Sequence, residues 1–403
     1  MNGHVLILVE NFSVPRDRRV WQESLALTEA GFRVTVICPA GMERDQEFEA
    51  RIDGVRILRF KLNPAGGGLG GYGREYARAL YESARLAFMV RREGKIDVVQ
   101  ACNPPDLFFL IGLLLRPFGS KFVFDHHDLV PELFLTRFPR GGRLLYWATR
   151  ILERITFACA DAVISTNDSY RRIALERGRV PPEKVVVVRN GPDLTRFKPC
   201  APDESLRKGK RYLLAYLGVM GPQDGVDYAL RAVKYLRDDL GRNDFHCVML
   251  GSGDSLDEMV SLSQQLGISD IVDFPGWADD QLIRRSLSTA DVCLAPDPSN
   301  PFNDKCTMIK VAEYMAMGRP IVSFDLQETR ITAGDAAIYA PANDERAFAH
   351  AIDSLLSDPV KRKAMGEYAL RKVEEQLSWQ ISRQALLHLY TRLVAPNTAP
   401  LDR

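Results

Sequence analysis

The chain has 403 residues, more than a single core comfortably holds and enough for two domains of ordinary size. Hydrophobic residues make up 46% and charged residues 26%, the balance of a globular chain and not of a disordered or fibrous one. A net charge of +1 gives no overall signal for nucleic acid or a strongly acidic partner, and no nucleic-acid partner is expected.

Short β-branched runs alternate with helical periods from the first residues on. His4–Val9 reads as a strand, Arg18–Ala30 as a helix and Arg33–Cys38 as a strand after the turn at Gly31. Val55–Phe60 is the next strand, followed by a helix through Tyr76–Arg92 and a strand at Asp97–Gln100. Lys121–Asp125 and Ala162–Ser165 are strands separated by a long helix near Arg143–Ala158, and Val185–Arg189 closes the first series. Asn190–Lys210 is rich in Pro, Gly, Lys and Asp and reads as a linker. The second series places strands at Leu213–Leu217, His246–Leu250, Ile271–Phe274, Val292–Ala295 and Ile321–Phe324. Between them lie helices at Tyr228–Leu240, Leu256–Leu266, Asp280–Ser288 and Thr307–Met317.

This alternation predicts an α/β protein of two doubly wound, Rossmann-like domains facing a cleft, over residues 1–195 and 205–375. A last amphipathic helix, Trp379–Val394, carries Ile381, Ala385, Leu386, Leu389 and Leu393 at helical spacing and is expected to pack on the first domain. The seven cysteines are dispersed, with neither Cys-x-x-Cys nor a nearby His at ligand spacing, which fits reduced thiols. The chain enters a strand almost at once, without a leader-like start or an apolar run of membrane-spanning length. A cytoplasmic protein is expected, with peripheral membrane contact left open.

The second half resembles the donor-binding half of retaining glycosyltransferases of family 4, which have the GT-B fold. Val185-Val-Val-Val-Arg-Asn-Gly-Pro-Asp193 with Phe197 and Pro199 is similar to the family's Asn-Gly-x-Asp turn and Phe-x-Pro linker. Tyr216-Leu-Gly218 with Gly225, Val248-Met-Leu-Gly-Ser-Gly253 and Val272-Asp-Phe-Pro-Gly276 follow in the family's order. Lys310-Val-Ala-Glu-Tyr-Met-Ala-Met-Gly-Arg-Pro320 resembles its most recognisable signature.

The resemblance implies transfer of a hexosyl-type sugar, with retention, from a nucleotide-diphosphate donor to a glycan or lipid-linked acceptor. Cell-surface polysaccharide or glycolipid synthesis is the expected setting. It further implies that Gly218, Gly221, Gly251, Gly253, Cys306 and Thr307 approach the donor, and that Glu313 accepts from the ribose diol. For Gly251 and Gly253 the plain reading is a turn between strand and helix. Lys310, three residues before Glu313, shares its helix face.

Two departures stand out. Where many members carry a glutamate eight positions before the one matched by Glu313, this chain has Lys305. Its first donor-side loop, Gly218-Val-Met-Gly-Pro-Gln-Asp-Gly225, lacks the Arg and Lys that grip the diphosphate in many members. Lys305 or Lys310 is therefore expected to supply the missing charge. No Asp-x-Asp occurs, and the resemblance likewise implies metal-independent chemistry with no cofactor besides the nucleotide sugar as co-substrate.

In the first half, Pro15-Arg-Asp-Arg-Arg-Val20 opens the first helix, so Asp17 or Arg19 either contacts the acceptor or donor, or, for Asp17, caps that helix. Phe124-Asp-His-His-Asp-Leu-Val-Pro-Glu132 follows a strand where related enzymes have His-Asp-x-x-Pro-Glu, with His127 as the match. A neutral His127 imidazole orienting a sugar hydroxyl or taking a proton, its tautomer set by Asp128, is the catalytic expectation. Arg137–Arg154 holds Arg137, Arg140, Arg143, Arg150 and Arg154 against Glu153 alone, interleaved with apolar residues. It reads either as a helix resting on anionic lipid or as an ordinary basic domain surface. Alternatives on the same fold are a nucleotide-sugar epimerase or hydrolase and a non-catalytic partner subunit. A dinucleotide oxidoreductase would need a Gly-x-Gly-x-x-Gly after the first strand, where Asn-Phe-Ser-Val-Pro stands.

Overall fold

The computed structural model describes residues 2–41, 45–62, 69–137, 142–194 and 197–395. Its contacts divide the chain into two compact units, residues 1–189 with 382–403, and residues 190–381.

The first unit is built on strands β1 (His4–Leu8), β2 (Arg33–Pro39), β3 (Glu49–Ile52), β4 (Val55–Phe60), β5 (Val98–Cys102), β6 (Lys121–His126), β7 (Ala162–Ser165) and β8 (Val185–Val187). They lie in the order β3-β4-β2-β1-β5-β6-β7-β8, parallel throughout except for β3 against β4. Helices α1 (Arg18–Glu29), α2 (Leu69–Glu93), α3 (Phe109–Leu115), α4 (Val130–Arg137), α5 (Arg143–Cys159) and α6 (Asp168–Glu176) make the crossovers. All five residues of β1 are buried, because a parallel strand with helices on both faces has no wet side. Chain order reverses between β1 and β5, so the loops after these strands diverge and leave a crevice at their carboxyl ends.

The second unit repeats the plan. Strands β9 (Tyr212–Leu217), β10 (Phe245–Leu250), β11 (Val272–Gly276), β12 (Val292–Ala295), β13 (Ile321–Phe324) and β14 (Ala337–Ala340) form an all-parallel sheet ordered β11-β10-β9-β12-β13-β14. The switch point here lies between β9 and β12. Its helices are α7 (Val226–Asp238), α8 (Leu256–Gln265), α9 (Asp280–Thr289), α10 (Ile309–Ala316), α11 (Gln327–Ala333), α12 (Glu345–Ser357) and α13 (Pro359–Lys372). Helix α10 stops at Gly318, whose φ of +64° allows the Arg319 N–H to turn back onto the Tyr314 carbonyl at 3.0 Å.

Two expectations change. The stretch expected as a linker is bound into the second unit: the Cys200 N–H donates to Ser288 Oγ at 3.0 Å, Asp203 pairs with Arg285, and Arg207 pairs with Asp291. Its Pro- and Gly-rich composition marks irregular backbone that nonetheless straps α9. The antiparallel β3 has no alternating apolar pattern to announce it, because it is a four-residue, half-exposed edge strand.

The last helix, α14 (Trp379–Val394), has its Ser382 end onward grouped with the first unit. Leu386, Leu389 and Tyr390 are buried while Ile381 is exposed, so the inward face sits slightly off the expected stripe. The Tyr390 ring meets Phe32 edge-on at 6.2 Å, and its hydroxyl donates to Gln100 Oε1 on β5. Removing that hydroxyl leaves a buried amide oxygen without its donor. Tyr390→Phe is expected to lower the stability of the first unit by about 1–3 kcal/mol, read from its denaturant midpoint; an unchanged midpoint would mean that this hydrogen bond does not anchor the helix.

Candidate functional site

In the second unit, the loops after β9 and β10 lie against each other beside the switch point. The Gly218 N–H donates to the Leu250 carbonyl at 3.0 Å, the Met220 N–H to Ser252 at 3.1 Å, and the Ser255 N–H back to Met220 at 2.9 Å. Contact this close requires glycine. A Cβ on Gly251, whose φ is +133°, would stand 1.8 Å from the Gly218 carbonyl oxygen, and one on Gly253 2.6 Å from that of Met220. Gly221 is different: only the flexible Gln223 side chain approaches its Cβ position, while its N–H donates to Asp224 Oδ2 at 3.0 Å.

Lys310 comes to this loop from α10. Its ammonium donates to Asp297 Oδ1 at 2.6 Å, just past β12, lies 3.8 Å from Asp224 Oδ1, and sits 5.0 Å above the Tyr216 ring. Burial alone would lower the lysine pKa, but the two carboxylates outweigh it and raise it, so the cation persists. Tyr314 fixes α10 to the sheet, accepting from the Leu217 N–H at 2.7 Å and donating to the Leu294 carbonyl at 3.1 Å. Glu313 is buried on the same helix, and Cys306 and Thr307 lie half-buried just before it. Lys305 donates to the Pro301 carbonyl at 2.8 Å. Lys310 meets the glycine loop through its ammonium, and the turn that carries Lys305 meets the same loop through Asn303, whose Nδ2 donates to the Gln223 carbonyl at 2.9 Å. Asp224 and Asp297 hold Lys310 there; the first lies within the Gly218–Gly225 loop but carries no role readable from sequence, the second belongs to no motif, and only the fold juxtaposes them.

In the first unit, the carboxyl ends of β5 and β6 carry a buried polar network. Asp17 caps α1, accepting from the Val20 N–H at 3.1 Å, so the capping alternative is the one observed. Arg19 is turned inward, and its guanidinium grips Asp125 at 2.8 and 3.2 Å, reaches Glu23 at 3.1 Å and donates to the Val188 carbonyl at 3.0 Å. The side chains of Asp17 and Arg19 thus make these contacts within the unit. Gln100 donates to Glu23 at 2.7 Å and to Asp125 at 3.1 Å. Burial would raise the Asp125 pKa, but Arg19 and then His127 hold it below the usual carboxylate range. For Glu23 burial prevails and pushes it up to about 7.

His127 stands at the end of this network, its Nδ1 3.5 Å from Asp125 Oδ2. That is ion-pair distance and too long for a close hydrogen bond. Burial would lower its pKa, yet Asp125 outweighs burial and lifts it to about 9. Asp125, with a smaller contribution from Asp128, thus favours the imidazolium over the expected neutral imidazole. Asn103 shapes the loop: its Oδ1 accepts the N–H groups of His127 and Asp128 at 2.9 and 3.0 Å, and its Nδ2 donates to the Asp128 carbonyl at 2.7 Å. The neighbouring His126 is wholly buried among Phe124, Phe157 and Tyr170, and burial pushes its pKa down to about 3. Among the described residues, Cys102, Asp125 and His127 are the one group whose ligand atoms converge, lying within 4.8 Å. Asp125 there already answers a guanidinium and an imidazolium, a poor setting for a further cation.

Of the basic stretch, the Arg137 side chain and Arg140 lie outside the described residues; Arg143 and Arg154 are exposed on α5 and Arg150 is half-buried.

Two doubly wound α/β units, each with a switch point at the carboxyl ends of its strands, define the class of fold, and family models assign it. Residues 17–191 match the glycosyl transferase 4-like domain and residues 211–358 match glycosyl transferases group 1. The chain belongs to glycosyltransferase family 4, with the GT-B fold. Among curated relatives, the D-inositol 3-phosphate glycosyltransferase of Salinispora tropica is 26% identical over 93% of this chain and 80% of its own length. The alpha-maltose-1-phosphate synthase of Mycolicibacterium smegmatis is 27% identical over 69% of this chain and 74% of its own. For the D-inositol 3-phosphate glycosyltransferase of Thermomonospora curvata, at 26% identity, the match spans 60% of each chain. Among solved structures, the sucrose-phosphate synthase of Thermosynechococcus elongatus superposes with a TM-score of 0.80 at 18% identity, covering 98% of this chain and 99% of that one. Anabaena HepE in complex with UDP-glucose does so with a TM-score of 0.69 at 14% identity, covering 97% and 100%.

Lys310→Met should cost the second unit about 3–5 kcal/mol, because it leaves Asp297 buried without its cation; Val360→Ser, exposed on α13, should change its unfolding free energy by less than about 0.5 kcal/mol. Equal losses in denaturant melts would contradict the placement of Lys310. In the first unit, the His127 pKa is raised from 6.5 to about 9. The His127–Asp125 attraction therefore contributes fully below about pH 6.5 and is lost as pH rises through about 9, a change of roughly 3 kcal/mol. Unfolding free energies measured across this range should show that loss in the native chain and not in His127→Gln; parallel profiles would refute it.

Proposed function

We propose that this chain transfers a hexosyl-type sugar from a nucleotide-diphosphate donor to an acceptor hydroxyl, with retention at the anomeric carbon and without a metal ion. The acceptor on this reading is a glycan or a lipid-linked glycan in cell-surface polysaccharide or glycolipid synthesis. The observation that carries the donor half is the loop Gly218–Gly225 closed against Gly251 and Gly253, with Lys310 beneath it. Such a loop offers backbone N–H groups and a cation to a diphosphate, and the start of α10 adds a favourable dipole. Glu313 and the Cys306–Thr307 backbone are assigned to the ribose and phosphate on the strength of the family resemblance. The complexes of HepE with UDP-glucose, and of a trehalose-6-phosphate protein from E. coli with UDP-2-fluoro glucose, support a nucleotide-sugar donor for the fold.

In the first unit, a cationic His127 suits donation to a sugar hydroxyl, not proton removal. The departing phosphate then takes the acceptor proton on the same face, which retention requires. D-inositol 3-phosphate and maltose-1-phosphate, in the names of the relatives, are phosphorylated species and widen the acceptors worth testing.

Asp224 occupies the Gly221 N–H and approaches Lys310, the two groups a phosphate would take. On this reading the donor displaces that carboxylate. Asp224→Asn should bind UDP or GDP several-fold tighter than the native chain, and Lys310→Ala at least ten-fold more weakly, by isothermal titration. A prior thermal-shift panel of UDP-, GDP-, ADP- and CMP-sugars selects the base. If no nucleotide sugar stabilises the chain, or if both variants bind as the native chain does, the donor site lies elsewhere. Product analysis with donor alone separates transfer from epimerisation or hydrolysis.

A further inference from the structure

Ten of the nineteen exposed large apolar side chains among the described residues fall on α3, α4, α5 and the turn that follows α3. Scattered exposed leucines need no explanation, but a concentration on neighbouring helices of one unit does. Helices α3 and α5 are neighbours: Arg116, after α3, donates to the Cys159 carbonyl at the end of α5 at 2.7 Å, and Thr156 Oγ1 donates to the Asp106 carbonyl at 3.3 Å. Helix α3 is held so tightly that a Cβ on Gly112 would lie 2.5 Å from the Phe122 ring. Its opposite side presents Leu110, Leu114 and Phe118 outward. On α5 the outward stripe is Leu144, Trp147 and Ile151, exposed by 83%, 52% and 57%, at the three- and four-residue spacing of one helix face.

The charges on this surface are of one sign. Arg143, Arg150 and Arg154 flank the α5 stripe, and Arg150 lies against Tyr146 and Trp147 with its guanidinium 5.8 and 5.9 Å from their rings. The helix's one acid, Glu153, points inward to Arg177, which also binds Glu132 at 2.5 Å. The fold thus removes from the outer face the carboxylate that would have weakened its positive field. Among the described residues no helix is long and apolar enough to cross a membrane. An apolar stripe with an indole and a tyrosine, edged by arginines, matches a bilayer interface with anionic headgroups.

We infer that the outer face of α3 and α5 docks on an anionic lipid bilayer, with both helices lying in the headgroup plane. This goes beyond the transfer reaction and stands independently of the donor site. The test is sedimentation of the full chain with vesicles of phosphatidylglycerol and phosphatidylethanolamine, against vesicles of phosphatidylcholine alone. The chain should pellet with the anionic vesicles, at least ten-fold more than with the neutral ones, and release as salt is raised. The surface variant Leu144→Ser/Trp147→Ser/Ile151→Ser should lose at least ten-fold of that binding while keeping the native circular dichroism and thermal midpoint. Val360→Ser, exposed on α13 of the other unit, should bind as the native chain does. Absence of pelleting with anionic vesicles, or equal pelleting of the triple variant, overturns the inference. So does a native chain that is dimeric by light scattering, becomes monomeric in the triple variant and ignores vesicles, since the face would then join two copies.

Discussion

A cation taken out of water at the end of a parallel strand must find a carboxylate there, and each unit is organised around one such pairing. In the first, Arg19 leaves the start of α1 and meets Asp125 at the end of β6. In the second, Lys310 leaves α10 and meets Asp297 past the end of β12. Coulomb attraction in a low-dielectric interior is strong, but it offsets desolvation only when hydrogen bonds satisfy the remaining lone pairs and protons. That condition recruits the neighbours. Gln100 bridges Glu23 and Asp125, Tyr390 saturates the Gln100 oxygen, and α14 is thereby tied to the sheet of the first unit.

The same pairing sets the protonation of the groups around it. Asp125 stays ionised because Arg19 and His127 face it, and His127 stays charged because Asp125 does. Glu23, buried beside the same guanidinium, is pushed up to about 7 because burial outweighs Arg19 there and the Asp125 charge adds to the rise. Two carboxylates around one arginine thus receive opposite shifts. At the next residue the outcome reverses. His126 is packed among aromatic rings, and although Glu153 lies 3.8 Å from its Nε2, burial and then Arg177 drive it neutral. Adjacent histidines in the sequence are alike only until the strand's alternation sends them to different surroundings.

That alternation explains how far the sequence could be read. The βαβ rhythm, the two series and the α10 signature were legible because they depend on local periodicity and on motifs carried in a short span. The need for Gly251 and Gly253 was half legible, since the motif marks a turn but not the carbonyl of Gly218 pressed against it. Asp224, Asp297 and Asn103 gave no signal at all. Each is a common loop residue whose role arises from a partner that only the folded connections bring close: Lys310 for Asp224 and Asp297, and the loop after β6 for Asn103. Helix α3 was also missed, for the opposite reason. Phe109-Leu-Ile-Gly-Leu-Leu-Leu115 has no polar face, so helical period is invisible in it although one side is exposed.

The loop after β9 shows how a departure from a family pattern is absorbed by the fold. Lacking the Arg and Lys that the resemblance leads one to expect, and carrying Asp224, the loop would by itself be an anionic turn. Lys310 alters that balance, because its ammonium lies between Asp224 and Asp297 and is shared by both. Asp224, the more distant of the two carboxylates from that ammonium, also satisfies the Gly221 N–H. Asp224 also sits on a turn next to Gly225, whose φ of +68° and closeness to the Pro296 carbonyl fix where the loop rejoins α7. The backbone of the loop is therefore held by packing, while its Gly221 N–H and the Lys310 ammonium both face the Asp224 side chain. That carboxylate and Asp297 together spare the second unit an unpaired buried cation.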